Sequence, residues 1–159
     1  MKSTSFKKIL IFLAFLIFNF GALAIGGILM GGSPADNNWY LSLNKAPWTP
    51  PGWVFGFAWT SIMLCYSIFN FIAIQKAKRP KVVITLFIIQ WLMNVIWNPL
   101  FFYFHLPFIS LISLILLMFI LFYSNLLCGL KSYINLFLFP YLFWSLIAFS
   151  LNLYIVIKN

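Results

Sequence analysis

The side chains that run acid–base and nucleophilic chemistry are nearly absent from this chain. Its 159 residues hold one carboxylate side chain, Asp36, and one imidazole, His105. Acid–base catalysis needs titratable groups within reach of one another, so hydrolysis, phosphoryl transfer and proton-coupled pumping have no residues to run on. No nucleophile with an adjacent base, phosphate-binding loop or set of metal ligands can be assembled. His105 stands alone beside Pro107, the setting of a satisfied surface histidine rather than a haem ligand. Cys65 and Cys128 lack CxxC spacing and read as small apolar packing residues. What the sequence does supply is aromatic and neutral-polar: Trp59, Gln90, Trp91, Asn94, Trp97, Asn98, Tyr141, Trp144 and Asn152. Gln90, Asn94, Trp97, Asn98 and Phe101 recur at spacings of three and four, which places them along one stripe of a helix. Two readings stay open. The amides can hydrogen-bond between helices while the indoles pack, or indole faces with a few amide donors can form a flat slot for a large planar ligand.

These residues sit in a chain that is 64% hydrophobic and carries ten basic and one acidic side chain. Such a composition has too little polar material to cover a water-soluble globule, so this is a membrane protein. From Val82 to Leu130 there is no Lys, Arg, Asp or Glu, more than twice the roughly 20 residues that span a bilayer as helix. His105-Leu106-Pro107 divides that run in two. Spans are expected at Ile9 to Met30, Gly52 to Gln75, Val82 to Phe104, Phe108 to Cys128 and Ile134 to Ile157, giving an all-α bundle of five transmembrane helices in one domain, residues 1–159. The first run is too long for a signal peptide and has no clean cleavage site, so it is kept as a helix.

Lys2, Lys7, Lys8, Lys76, Lys78, Arg79, Lys81 and Lys131 fall on one side of the membrane, against Lys45 and Lys158 on the other. Basic residues collect on the cytoplasmic face, so the amino terminus is expected there. The net charge of +9 then reflects topology and anionic headgroups rather than nucleic acid. Between Gly31 and Pro51 lies a long loop rich in Pro and Trp. Its prolines lower the entropy of the disordered alternative, and it is expected to fold over the bundle as an ordered lid. Gly27-x-x-x-Gly31 and Gly52-x-x-x-Gly56 match the small-residue pattern for close helix approach.

In chain order, Trp39-Tyr40-x-x-Leu43-x-Lys45-x-Pro47-Trp48-x-Pro50-Pro51-x-Trp53, then Trp59, Gln90-x-x-x-Asn94-x-x-Trp97, Phe101-Phe102 and Pro140-Tyr141-Leu142-x-Trp144-x-x-x-Ala148-x-x-Leu151-Asn152 resemble the translocator protein family. Its members are also called tryptophan-rich sensory proteins and peripheral-type benzodiazepine receptors. The resemblance implies a five-helix bundle, often a homodimer, whose pocket under the first loop binds porphyrins and isoquinoline- or benzodiazepine-type ligands, with no cofactor or metal required. It assigns ligand binding to Tyr40, Pro50, Trp59, Asn94, Asn98, Phe101, Trp144 and Ala148. In some bacterial members the indoles matching Trp59 and Trp144 are tied to light-dependent breakdown of protoporphyrin, so these two would be the catalytic residues if that photochemistry operates. A porphyrin-binding receptor is the expected function; a porphyrin-degrading enzyme and a transporter of porphyrin or another hydrophobic solute are the alternatives. Two positions depart from the pattern: Ala46 replaces a proline, and Ser113 stands where members often carry an acidic residue. With no targeting extension, a bacterial cell membrane is the expected location.

Overall fold

The computed structural model describes residues 2–128 and 132–159. Lys131 and the side chains of Lys2 and Cys128, all used in the sequence reading, lie outside the described residues. The helices in chain order are α1 Lys2–Leu29, α2 Asn38–Ser42, α3 Gly52–Lys76, α4 Pro80–Asn98, α5 Pro107–Cys128 and α6 Phe139–Lys158. All but α2 belong to segments long and apolar enough to cross a membrane, five in all. Among the described residues there is no strand. Helices satisfy their own backbone hydrogen bonds, which hydrocarbon cannot do for them.

Proline and glycine set the boundaries. Gly31 and Gly32, at φ 81° and 132°, turn the chain out of α1 through backbone that β-carbons disfavour. Pro80 opens α4 and Pro140 lies in the first turn of α6, where a missing N–H costs no hydrogen bond. For the last span this shifts the expected start: Ser132–Phe137 forms a 3₁₀ turn, and the α-helix begins at Phe139 rather than Ile134. The third span contains a larger departure. Pro99 cannot donate to a carbonyl four residues back, and Pro99–Tyr103 widens into a π turn, with the Phe104 N–H bonding the Pro99 carbonyl at 2.9 Å. His105 then takes a left-handed conformation, φ 55°, to reverse the chain into α5.

The helices pack in a ring in the order α1, α3, α6, α5, α4 and back to α1, with α3 also meeting α4 across the middle. Polar links cross between them. The Asn19 amide donates to Ser67 Oγ at 2.8 Å, joining α1 to α3, and the Trp91 indole N–H donates to the Phe18 carbonyl at 2.8 Å, joining α4 to α1. Asn152 on α6 lies 3.0 Å from Ser110 Oγ on α5. Outward, large apolar side chains such as Ile17, Ile28, Phe57, Phe119 and Phe143 are exposed, as contact with lipid requires. Phe12 on α1 meets Phe71 on α3 at 5.6 Å, so Lys7 and Lys8 lie at the same end of the bundle as Lys76 to Lys81. Asn44 and Asn159 hydrogen-bond to each other, which puts Lys45 and Lys158 at the opposite end.

Of the two glycine pairs expected at helix contacts, only Gly31 is close to a neighbour, where a β-carbon would lie 3.3 Å from the Tyr103 ring. A β-carbon on Gly27 would meet only the Met30 methyl, at 4.0 Å, and one on Gly52 or Gly56 would meet nothing within 4 Å. The closest approach between helices is at Gly26, where a β-carbon would lie 2.5 Å from Asn98 Nδ2 and 3.3 Å from its Cγ. A helix periodicity cannot show which of two adjacent glycines faces a neighbour. Gly26→Leu is therefore expected to cost about 1–3 kcal/mol by overpacking. Gly26→Ala should lower the melting temperature in detergent, and adding Asn98→Ala should restore it, whereas Gly56→Ala should leave it nearly unchanged. Equal melting temperatures for all four proteins would contradict this contact.

Candidate functional site

Residues 31–51 form the lid. Asn37 caps α2 by accepting from the Tyr40 N–H at 2.9 Å, and its own amide donates to the Phe102 carbonyl at 3.1 Å, tying the lid to the π turn. Trp39 lies edge-on to Phe101 at 5.5 Å and stacks on His105 at 4.3 Å. The departure at Ala46 is absorbed by a turn in which Thr49 bonds the Ala46 carbonyl through both N–H and hydroxyl, at 2.9 and 2.7 Å. Beyond it the Trp48 indole donates to Ser150 Oγ at 3.2 Å and its ring meets Tyr154 at 5.4 Å. At the same end the Asn44 N–H donates to the Asn159 side-chain oxygen at 2.9 Å. The lid thus bridges from the end of α4 to the end of α6.

Beneath it is a cavity of about 650 Å³, within the usual range for ligand sites. Tyr40, Lys45 and Pro50 contribute from the lid, Phe55 and Trp59 from α3, Asn94, Trp97 and Asn98 from α4, and Trp144 and Ala148 from α6. Phe55, one turn before Trp59, meets Trp144 edge-on at 5.2 Å, and Tyr141, one turn before Trp144, meets Trp59 at 6.0 Å. The two indoles therefore lie on facing, staggered stripes of α3 and α6. Below the cavity the Tyr141 hydroxyl accepts amide N–H groups from Gln90 and Asn94, each at 2.6 Å. Gln90 is buried there and serves the link between helices, whereas Asn94 serves both that link and the cavity wall. Burial pushes the Tyr40 phenol up from its ordinary value, so it stays a neutral hydroxyl at physiological pH.

Of the eight binding residues expected from the sequence, seven line this cavity and Phe101 does not. Phe101 is 3% exposed and stacks flat on Trp97 at 5.2 Å, behind the wall, and Phe102 lines the cavity in its place. The π turn is the cause. It accommodates one extra residue per turn, so a stripe extrapolated from Gln90, Asn94 and Trp97 at α-helical spacing arrives one residue early. Phe55 and Lys45 were absent from the expected set, though Phe55 sits four residues before Trp59 and so shares its face. His105 lines a smaller hollow with Trp39 and Leu43, apart from the main cavity. Ser113 is buried and bonds the Ser110 carbonyl at 2.8 Å. Among the described residues no three metal-ligating side chains cluster. The chemistry of the cavity is that of aromatic contact and amide hydrogen bonding, with Lys45 its one full charge.

A family model described as TspO/MBR family matches residues 12–157. This chain belongs to the TspO/MBR family. Relatives include a tryptophan-rich protein TspO of Archaeoglobus fulgidus, 33% identical over 76% of this chain and 80% of its own length. Another protein TspO, from Bacillus cereus, is 30% identical over 92% of this chain and 94% of its own. Protein CrtK of Rhodobacter capsulatus is 29% identical over 72% of this chain and 74% of its own. Family membership and the five long apolar helices make this a multi-pass membrane protein in contact with the lipid bilayer.

Tyr141→Phe would leave the Gln90 and Asn94 amides without their shared acceptor in a water-poor interior. It is expected to destabilise the protein by about 1–2 kcal/mol, read as a lower melting temperature in detergent with helical circular dichroism retained at room temperature. An unchanged melting temperature would show that the two amides find other partners at no cost.

Proposed function

We propose that this TspO/MBR-family member is a membrane sensor that binds a planar tetrapyrrole such as protoporphyrin IX or a haem-like molecule, and accepts benzodiazepine- or isoquinoline-type compounds, in the cavity under the lid. The observation that carries this reading is the convergence of Trp59 and Trp144 on one roofed cavity walled by aromatic rings and carboxamides. A large flat apolar body gains from such faces, while an ion or sugar would leave them unused. Similarity to proteins named tryptophan-rich sensory protein and CrtK supports a sensing or regulatory role. No cofactor is required. A homodimer in a bacterial cell membrane belongs to the same reading, with the family resemblance as its support. The gathering of Lys7, Lys8 and Lys76 to Lys81 at one end supports a cytoplasmic amino terminus with the lid on the far side.

Light-dependent breakdown of a bound tetrapyrrole is the second reading, favoured because both indoles border the same cavity. Protoporphyrin IX added to the protein in nanodiscs should quench tryptophan fluorescence saturably, in the micromolar range. Unsaturable partitioning equal to that of empty nanodiscs would refute the binding role. Under illumination in air, the second reading requires a new absorbing product that the Trp59→Phe, Trp144→Phe double variant fails to give; equal product from both would leave ordinary photobleaching. Reporter fusions at the two termini should be active on opposite faces, and an amino-terminal fusion active only outside the cytoplasm would reverse the topology.

A further inference from the structure

At the end of the bundle away from the lid, cations gather with no acid among them. Ring contacts fix their level. Phe12 on α1 meets Phe71 on α3 at 5.6 Å, and Lys7 lies five residues before the first while Lys76 lies five after the second. Phe15 meets Phe87 on α4 at 5.0 Å, with Lys8 seven residues before one and Lys81 six before the other. The Asn19 to Ser67 and Trp91 to Phe18 bonds show that α1 runs antiparallel to α3 and parallel to α4. At a rise of about 1.5 Å per residue, the four lysines therefore emerge within about one helical turn of a common level. Lys78 and Arg79 stand beside them in the link between α3 and α4, and all six side chains are exposed. Lys76 donates to the Tyr133 hydroxyl at 3.5 Å. The other five make no side-chain hydrogen bond or ion pair among the described residues. Asp36, the chain's one carboxylate side chain, belongs to the lid.

α1, α3 and α4 pack against one another, so like charges at their shared end repel and loosen that joint unless an anion lies among them. Two observations say what kind of anion fits. The charges sit where apolar helices leave the hydrocarbon, the level of lipid phosphates, and next to them the surface is bare: Ile9, Leu10 and Leu13 on α1 and Ile84 and Ile88 on α4 are exposed. A soluble polyanion would use the cations alone, whereas a phospholipid uses cations and apolar surface together. Six cations on three helices also outnumber the charge of a single phosphate. We infer that this end of the bundle is a binding site for an anionic phospholipid, and that a lipid with two phosphates, such as diphosphatidylglycerol, bridges α1, α3 and α4 and stabilises their joint. The inference is independent of what occupies the cavity.

Binding is read by native mass spectrometry of the protein in uncharged detergent, titrated with diphosphatidylglycerol, phosphatidylglycerol or phosphatidylcholine, with melting temperatures measured in the same mixtures. Diphosphatidylglycerol should form a saturable one-to-one complex, weakened by salt, and raise the melting temperature. Phosphatidylglycerol should bind more weakly, and phosphatidylcholine should do neither. Lys8→Gln and Lys81→Gln should each weaken diphosphatidylglycerol binding about fivefold. Lys81→Arg should retain it, and Lys158→Gln, which removes the same charge from the opposite end, should leave it unchanged. Helical circular dichroism of each variant separates weakened binding from lost fold. Equal binding of the two anionic lipids overturns the bridging by two phosphates. A saturable complex with neither, or equal weakening by Lys158→Gln and Lys81→Gln, overturns the site. An equal rise in melting temperature with inorganic phosphate at matched ionic strength assigns it to free phosphate and overturns the lipid.

Discussion

Hydrocarbon offers no hydrogen bonds, so a carboxamide placed inside a transmembrane bundle must find its partner within the protein. Here two carboxamides of α4 share one hydroxyl of α6: Gln90 and Asn94 both reach Tyr141 at 2.6 Å. That junction ties the middle of α4 to the first turn of α6. Trp59 of α3 leans edge-on against the same tyrosine, so three helices are referenced to one ring. The Asn19–Ser67 and Trp91–Phe18 bonds bring in α1, and Asn152 with Ser110 brings in α5. Apolar contact alone distinguishes poorly between a helix neighbour and a lipid tail. The polar links supply the specificity that hydrophobic burial cannot.

Next to the junction lies the cavity, roofed by the lid rather than filled by side chains. A roof of bare polar loop would not close over an apolar cavity. This one is made of rings: Trp39 and Tyr40 settle on Phe101 and Phe102, and Trp48 on Tyr154. Hydrogen bonds pin it at both margins, through Asn37 at the π turn and Asn44 at the end of α6. Prolines between the anchors reduce the freedom lost on ordering. The left-handed His105 belongs to the same arrangement, because the turn it permits brings its imidazole under Trp39.

Much of this was readable in advance for one reason: in a membrane the energetic cost of an unpaired polar group is large enough to fix which residues face inward. The amides and indoles of α4 and α6 stood out because few other side chains there could object to lipid. The spans followed from length and charge alone. Legibility failed where a local backbone choice altered the register. Pro99 was visible, but its consequence, one extra residue in the turn and hence Phe102 rather than Phe101 on the cavity, needed coordinates. So did the choice of Gly26 over Gly27 as the close contact, since neighbouring residues on a helix differ only in azimuth.

The sequence by itself determined that five segments are long and apolar enough to cross a membrane, that a segment rich in Pro and Trp links the first two, and that carboxylate and imidazole side chains number one each. These follow from composition, from runs of apolar residues and from the scarcity of titratable side chains, properties that do not depend on which helix touches which. Only the tertiary structure decided that Trp59, Trp144, Asn94 and Asn98 border a single cavity, that Gln90 is spent on a bond to Tyr141, and that Lys45 lines the same cavity as the indoles. Such facts are distances between residues far apart in the chain, and they are set by the pairing of helices rather than by any local pattern.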